Sequence, residues 1–107
     1  MSATRRMPPA VATIHATLRE LLDPEVGLNV VDLGMIGDVT VAGDGAVIVE
    51  LLPTTPGCPM HEALANGVQR LVGDLPGVSA VEVHFVSAPP WTPDRIAPEA
   101  RALLGWS

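Results

Sequence analysis

Residues 39–52 read Val39-Thr40-Val41-Ala42-Gly43-Asp44-Gly45-Ala46-Val47-Ile48-Val49-Glu50-Leu51-Leu52, and this stretch decides the fold. Val39 and Val41 alternate with Asp38 and Thr40, the period of a strand with one wet face. Ala42 to Gly45 has the glycines and aspartate of a hairpin turn. The return run, Ala46 to Leu52, is apolar on both faces except at Glu50. Such a strand belongs at the centre of a sheet or beneath helices. Strand signals on the outgoing side begin near Met35.

Pro53 to Pro59 holds three prolines and one glycine in seven residues and cannot continue the strand. A helix should follow, from Pro59 or Met60 to about Gly73. Met60, Leu64, Val68, Leu71 and Val72 form its apolar stripe, and Glu62, Asn66, Gln69 and Arg70 its wet face. Asp74-Leu75-Pro76-Gly77 closes it, and Val81, Val83 and Phe85 alternate with Glu82 and His84 as a third strand. A helical crossover requires the second and third strands to run parallel, with right-handed connectivity.

Upstream, Pro8 and Pro9 suit the first turn of a helix. Val11, Ile14, Leu18, Leu21 and Leu22 give it one apolar stripe, and Pro24 should end it at Asp23. Asp23 to Gly34 reads as an ordered loop rich in acceptors (Asp23, Glu25, Asn29, Asp32). Downstream, Thr92 is a candidate N-cap with Pro93 at the first helical position, opening a short helix through Leu103 and Leu104. The expected order is α-β-β-α-β-α, a two-layer α+β domain with a small three-stranded mixed sheet and helices packed on it. Residues 1–8 read as a flexible tail and residues 9–107 as one domain.

With 48 % hydrophobic residues but only 3 % aromatics, the core must be built from Val, Leu, Ile and Ala. Six arginines, no lysine and twelve carboxylates leave a net charge of −6, which repels phosphate backbones and argues against a nucleic-acid partner. No apolar run is long enough for a signal peptide or a membrane span. A single cysteine cannot form an internal disulfide, which fits a reducing, cytoplasmic setting.

That cysteine, Cys58, lies in Thr54-Thr55-Pro56-Gly57-Cys58-Pro59-Met60-His61, at the start of the second expected helix. Unpaired N–H groups and the positive end of the helix dipole favour the thiolate there. The plain alternative is a small buried hydrophobe, but a core cysteine normally falls within an apolar stripe, not in a Pro/Gly-rich turn.

Thr54-x-x-x-Cys58-Pro59 after an apolar strand resembles the signature of the metal–sulfur cluster biosynthetic domain, the PaaD/SufT-like family. Asp23-Pro24-Glu25, then Val31-Asp32-Leu33-Gly34-Met35-Ile36, is similar to the same pattern, as is the tail Pro89-Pro90-Trp91-Thr92-Pro93-Asp94. The resemblance implies the α+β fold and a non-enzymatic role in maturing iron–sulfur proteins, with Cys58 as key residue. Asp23, Glu25, Asp32, Thr54 and Pro59 would be supporting motif positions. It also implies client apoproteins and cluster scaffold proteins as partners. The chain lacks the cysteine-rich C-terminal segment of longer PaaD-type members, which favours a general assembly role over a specialised one.

Iron–sulfur clusters generally take four protein ligands, and one chain offers one thiolate. A cluster could be shared across a homodimer, held briefly against a client, or replaced by iron or a persulfide on Cys58. Each arrangement makes the cargo labile. His61, three residues beyond Cys58, is the second candidate ligand, but the simpler reading is a solvated histidine beside Glu62. His15 and His84 read as incidental. For Asp23, Glu25 and Asp32 the preferred role is hydrogen bonding to their own loop, the other being acid–base work near Cys58. Trp91 either fastens the C-terminal segment over the sheet edge or presents an aromatic hot spot to a partner. Two further functions stay open: a thiol-dependent enzyme using Cys58 with His61 as base, and a plain interaction module.

Overall fold

The computed structural model describes residues 8–23, 27–53, 61–86 and 91–104. Its elements run α1 (Val11–Leu18), β1 (Ile36–Val41), β2 (Ala46–Leu51), α2 (His61–Gly73), β3 (Ala80–Phe85) and α3 (Pro98–Leu104), with a 3-10 turn at Pro93–Arg95 before α3. The order α-β-β-α-β-α is the one expected from the hydrophobic periods.

The sheet order is β1-β2-β3, so the most apolar strand is central. β1 pairs antiparallel with β2 across the Ala42–Gly45 turn, and β2 pairs parallel with β3 across the α2 crossover. Asp44 Oδ1 accepts the Ala46 N–H at 3.0 Å and stabilises that turn. Val47, Val49 and Leu51 alternate into the interior, while Ala46, Ile48 and Glu50 point to the other, wetter face. Register carries the division across the sheet: Val39 and Val41 stand beside Val49 and Val47, and Val83 and Val81 beside them on β3.

The helices cover the Val47/Val49/Leu51 face. Ile14 and Leu18 of α1 and Leu64, Val68 and Val72 of α2 are buried with these strand residues in one core. Glu62, Asn66, Gln69 and Arg70 are exposed, as the stripe on α2 requires. Val30, Leu33 and Met35 from the loop before β1 also fill the core, as do Ile96 and Ala100 from the C-terminal segment.

Three boundaries differ from the sequence reading. α1 begins at Val11 because Ala10 is extended (φ −71°, ψ 154°), so Pro8 and Pro9 precede the helix instead of opening it. It ends at Leu18, five residues early. Glu20 and Leu21 donate to Thr17 O and Leu18 O, a tightened 3-10 exit, and Leu22 then bridges to Asn29. Leu22 is consequently 55 % exposed instead of buried. At the C-terminus, Thr92 makes no side-chain cap and opens only the 3-10 turn, and the helix waits for Pro98. Ile96 explains the delay, because it is extended (φ −70°, ψ 132°) and buried in the core, just after Arg95 has bonded to the loop before β1. The expected tail over residues 1–8 falls almost wholly outside the described residues.

Candidate functional site

One end of the sheet collects the features that matter. β1 starts there at Ile36, which pairs with Leu51, the last residue of β2, and Leu51 in turn aligns with Phe85, the last residue of β3. The next residues close the row: Leu52 N–H donates to Met35 O at 2.7 Å and Val86 N–H to Leu51 O at 2.9 Å. The carboxyl ends of parallel strands are where α/β sheets usually place ligands, since the connecting loops leave from them. Here the connection from Pro53 to His61 contains Thr54, Cys58 and Pro59. Those three residues lie outside the described residues, as does Glu25.

His61, the first residue of α2, stacks on Phe85 with ring centroids 4.6 Å apart and planes inclined by 20°. Its Nε2 is buried and has no hydrogen-bond partner among the described residues. The structure therefore departs from the solvated histidine of the sequence reading. The cause is the crossover: α2 leads into a strand whose final residue returns beside the helix start, so Phe85 covers the ring. His84 conforms to expectation, exposed on the open sheet face with its Nε2 4.0 Å from Glu82.

Asp23 and Asp32 behave as loop-builders. Asp23 is 5 % exposed, its N–H donating to Leu28 O at 2.9 Å and its carbonyl accepting from Gly27 N–H at 2.7 Å. Asp32 accepts from Asn29 Nδ2 at 2.9 Å, while its own N–H donates to Asn29 Oδ1 at 2.8 Å. Its carboxylate also faces Arg19 at 3.6 Å, and its carbonyl accepts from Ala97 N–H at 2.7 Å. These contacts run to the loop, the end of α1 and the C-terminal segment.

The C-terminal segment is strapped onto the loop before β1. Trp91 Nε1 donates to Leu33 O at 2.7 Å. Arg95 Nε donates to Gly34 O at 2.8 Å and Nη2 to Ile36 O at 3.3 Å. Gly34 has φ +74°, and a Cβ there would collide with the backbone of Arg95, so the strap lies directly on the glycine. Trp91 thus fastens the segment to the loop before β1. Removing the indole N–H in Trp91→Phe should leave the Leu33 carbonyl short of a partner and lower stability by about 1–2 kcal/mol. Hydrogen exchange should show faster exchange at Leu33 to Ile36 and at Ala97, with β2 amides little changed.

Between strap and sheet end lies a cavity of about 380 Å³, lined by Ile36, Gly37, Asp38, Glu50, Leu52, Val86 and Arg95. A β-bulge in β1 between Ile36 and Val39 opens it, and Asp38 N–H donates to Glu50 Oε1 at 3.3 Å across the gap. Phe85 and Arg95 were not singled out from sequence as site residues. Phe85 looked like an ordinary inward strand position, and its place at the strand end beside a crossover helix was the available signal. Arg95 carried none beyond being a lone cation in a Pro-rich tail. Among the described residues, no group of three or more His, Cys, Asp or Glu side chains could hold a metal ion. None of the described helices is long and apolar enough to cross a membrane.

Together these features define a small α+β domain whose single-cysteine segment joins the end of the central strand to the crossover helix. Residues 11–85 match the family described as iron–sulfur cluster assembly protein, and the chain belongs to that family. It is 37 % identical over 92 residues to the Fe–S protein maturation auxiliary factor YitW of Bacillus subtilis, covering 86 % of this chain and 90 % of that protein. It is 34 % identical over 87 residues to the Fe–S protein maturation auxiliary factor SufT of Staphylococcus aureus, covering 81 % of this chain and 99 % of that one. A solved domain of unknown function from Bacillus anthracis superimposes with a TM-score of 0.84 at 32 % identity, over 88 % of this chain and 90 % of that one.

Proposed function

We propose that this chain is a non-enzymatic auxiliary factor in iron–sulfur protein maturation, and that it handles iron or a cluster as labile cargo through the Cys58 sulfur. The observation carrying the proposal is the chain's membership of the cluster-assembly family, with its single cysteine in the segment between Pro53 and His61. A thiolate is a soft ligand suited to iron in a cluster. One thiolate per chain is too few for a closed site, so the cargo is held with help from a client apoprotein, a scaffold protein or a second copy, and passes on readily. Its working compartment is the cytoplasm, where a lone thiol stays reduced.

Anaerobic reconstitution with ferrous iron and sulfide, on wild type and Cys58→Ser, tests this. Wild type should develop visible charge-transfer absorbance and pass iron and sulfide to an apo [4Fe–4S] protein. Cys58→Ser should lose at least about tenfold in both, the scale on which metal sites respond to altered ligation. Equal loading and transfer by the two proteins would overturn the proposal.

A further inference from the structure

We infer that the outer edge of β3 is a self-association surface, where a second copy of this chain pairs its own β3 antiparallel and joins the two three-stranded sheets into one. Such pairing is independent of the chemistry proposed for Cys58.

The sheet has two edge strands, and they are guarded differently. β1 carries a bulge between Ile36 and Val39, and Arg95 Nη2 donates to Ile36 O. Bulges and covering segments are how natural sheets prevent edge pairing. β3 has neither among the described residues. Its residues, Ala80–Phe85, run in unbroken register beside β2 and include no proline, lysine or arginine. Val86 N–H points to β2, donating to Leu51 O. By the two-residue alternation of a strand, Glu82 and His84 bond to β2 as well, and Val81, Val83 and Phe85 turn their N–H and C=O groups outward. No strand pairs with that side among the described residues.

The edge complements itself. A two-fold axis through Val83 sets the outward-bonding residues opposite one another: Val83 on the partner's Val83, and Val81 on the partner's Phe85. These side chains lie on the helix-covered face, where Phe85 is still 39 % exposed and Val81 borders a groove of about 190 Å³ with Gln69 and Gly73. On the open face Glu82 meets the partner's His84, and His84 the partner's Glu82; both side chains are exposed. An axis through Glu82 or through His84 keeps the hydrogen bonds but sets like residues opposite each other, which is unfavourable. The axis through Val83 pairs carboxylate with imidazole instead. That match of the edge with itself selects a second copy over a foreign strand. The net charge of −6 opposes association at long range, and physiological salt screens it beyond about 8 Å. One strand edge is a small interface, so the dimer is weak and concentration-dependent.

Sedimentation equilibrium of the full chain at physiological salt, from about 10 μM to about 1 mM, tests this. The mass should rise from 11.2 kDa toward twice that value with concentration. Amides of Val81, Val83 and Phe85 should gain protection from hydrogen exchange in step with it. His84→Glu gathers carboxylates from both copies and should weaken the dimer at least about tenfold. Adding Glu82→Lys to that variant should restore it to within about threefold of wild type. A mass that stays at 11.2 kDa throughout overturns the inference. Edge amides protected equally in dilute monomer overturn it too, because the chain then covers its own edge. A dimer indifferent to His84→Glu, or one that the double variant does not recover, places the contact elsewhere and is equally fatal. Thermal melts confirm that the variants fold. Should His84→Glu not fold, Glu82→Lys alone is measured in its place, and a dimer within about twofold of wild-type strength overturns the inference.

Discussion

Gly34→Ala is expected to destabilise the protein by about 3 kcal/mol and to lower Tm by roughly 12–20 °C. Two effects add. At φ +74° an alanine carries left-handed strain of about 1–2 kcal/mol. The new methyl also meets the Arg95 backbone, which must lift away. Lifting it threatens the bonds from Arg95 to Gly34 O and Ile36 O, each contributing about 1 kcal/mol. Gly27→Ala is the control, because its φ of +81° brings the strain while nothing among the described residues lies within 4 Å of the added carbon. A melt in which both variants lose the same amount would show that strap contact adds nothing beyond backbone strain.

Leu51→Ala is expected to lose about 2–5 kcal/mol, in the upper half of that range. Leu51 is 0 % exposed and sits in the central strand with ladders on both sides. The cost of such a truncation depends on how far the surroundings can collapse into the space. A doubly paired backbone cannot move inward, so the cavity stays open. Leu103, 78 % exposed, should tolerate alanine within about 0.5 kcal/mol. Urea unfolding checks both through a shift of midpoint at unchanged slope. A loss below about 1 kcal/mol for Leu51→Ala would contradict the rigid-ladder argument.

The sheet was legible from sequence because side-chain period reports strand and helix directly. The alternation in residues 38–41, the doubly apolar run 46–52 and the crossover stripe on α2 fix strand direction through local pattern and general chain topology, while the order β1-β2-β3 stays open until the ladders are seen. Helix ends were less legible. Pro24 marks where α1 must have stopped, not where it does, and the Leu22–Asn29 bridge that ends it sooner depends on a pairing seven residues away. Of the candidate site the sequence offers a motif and no geometry: Thr54, Cys58 and Pro59 stand out as a pattern but lie outside the described residues. The stacking of His61 on Phe85 joins residues twenty-four apart, and no periodicity links the two. Arg95 reaches Gly34 across 61 positions, equally beyond any local pattern.

That reach has a consequence during synthesis. Asp32, Leu33, Gly34 and Ile36 receive hydrogen bonds from Ala97, Trp91 and Arg95. As a nascent chain leaves the ribosome, residues 32–36 cannot reach native form until residues 91–97 have emerged. Hairpin and crossover can pair earlier, through contacts closer in sequence. The polypeptide is thus expected to mature in two stages, with the emergence of residues 91–97 locking the segment that leads into the sheet.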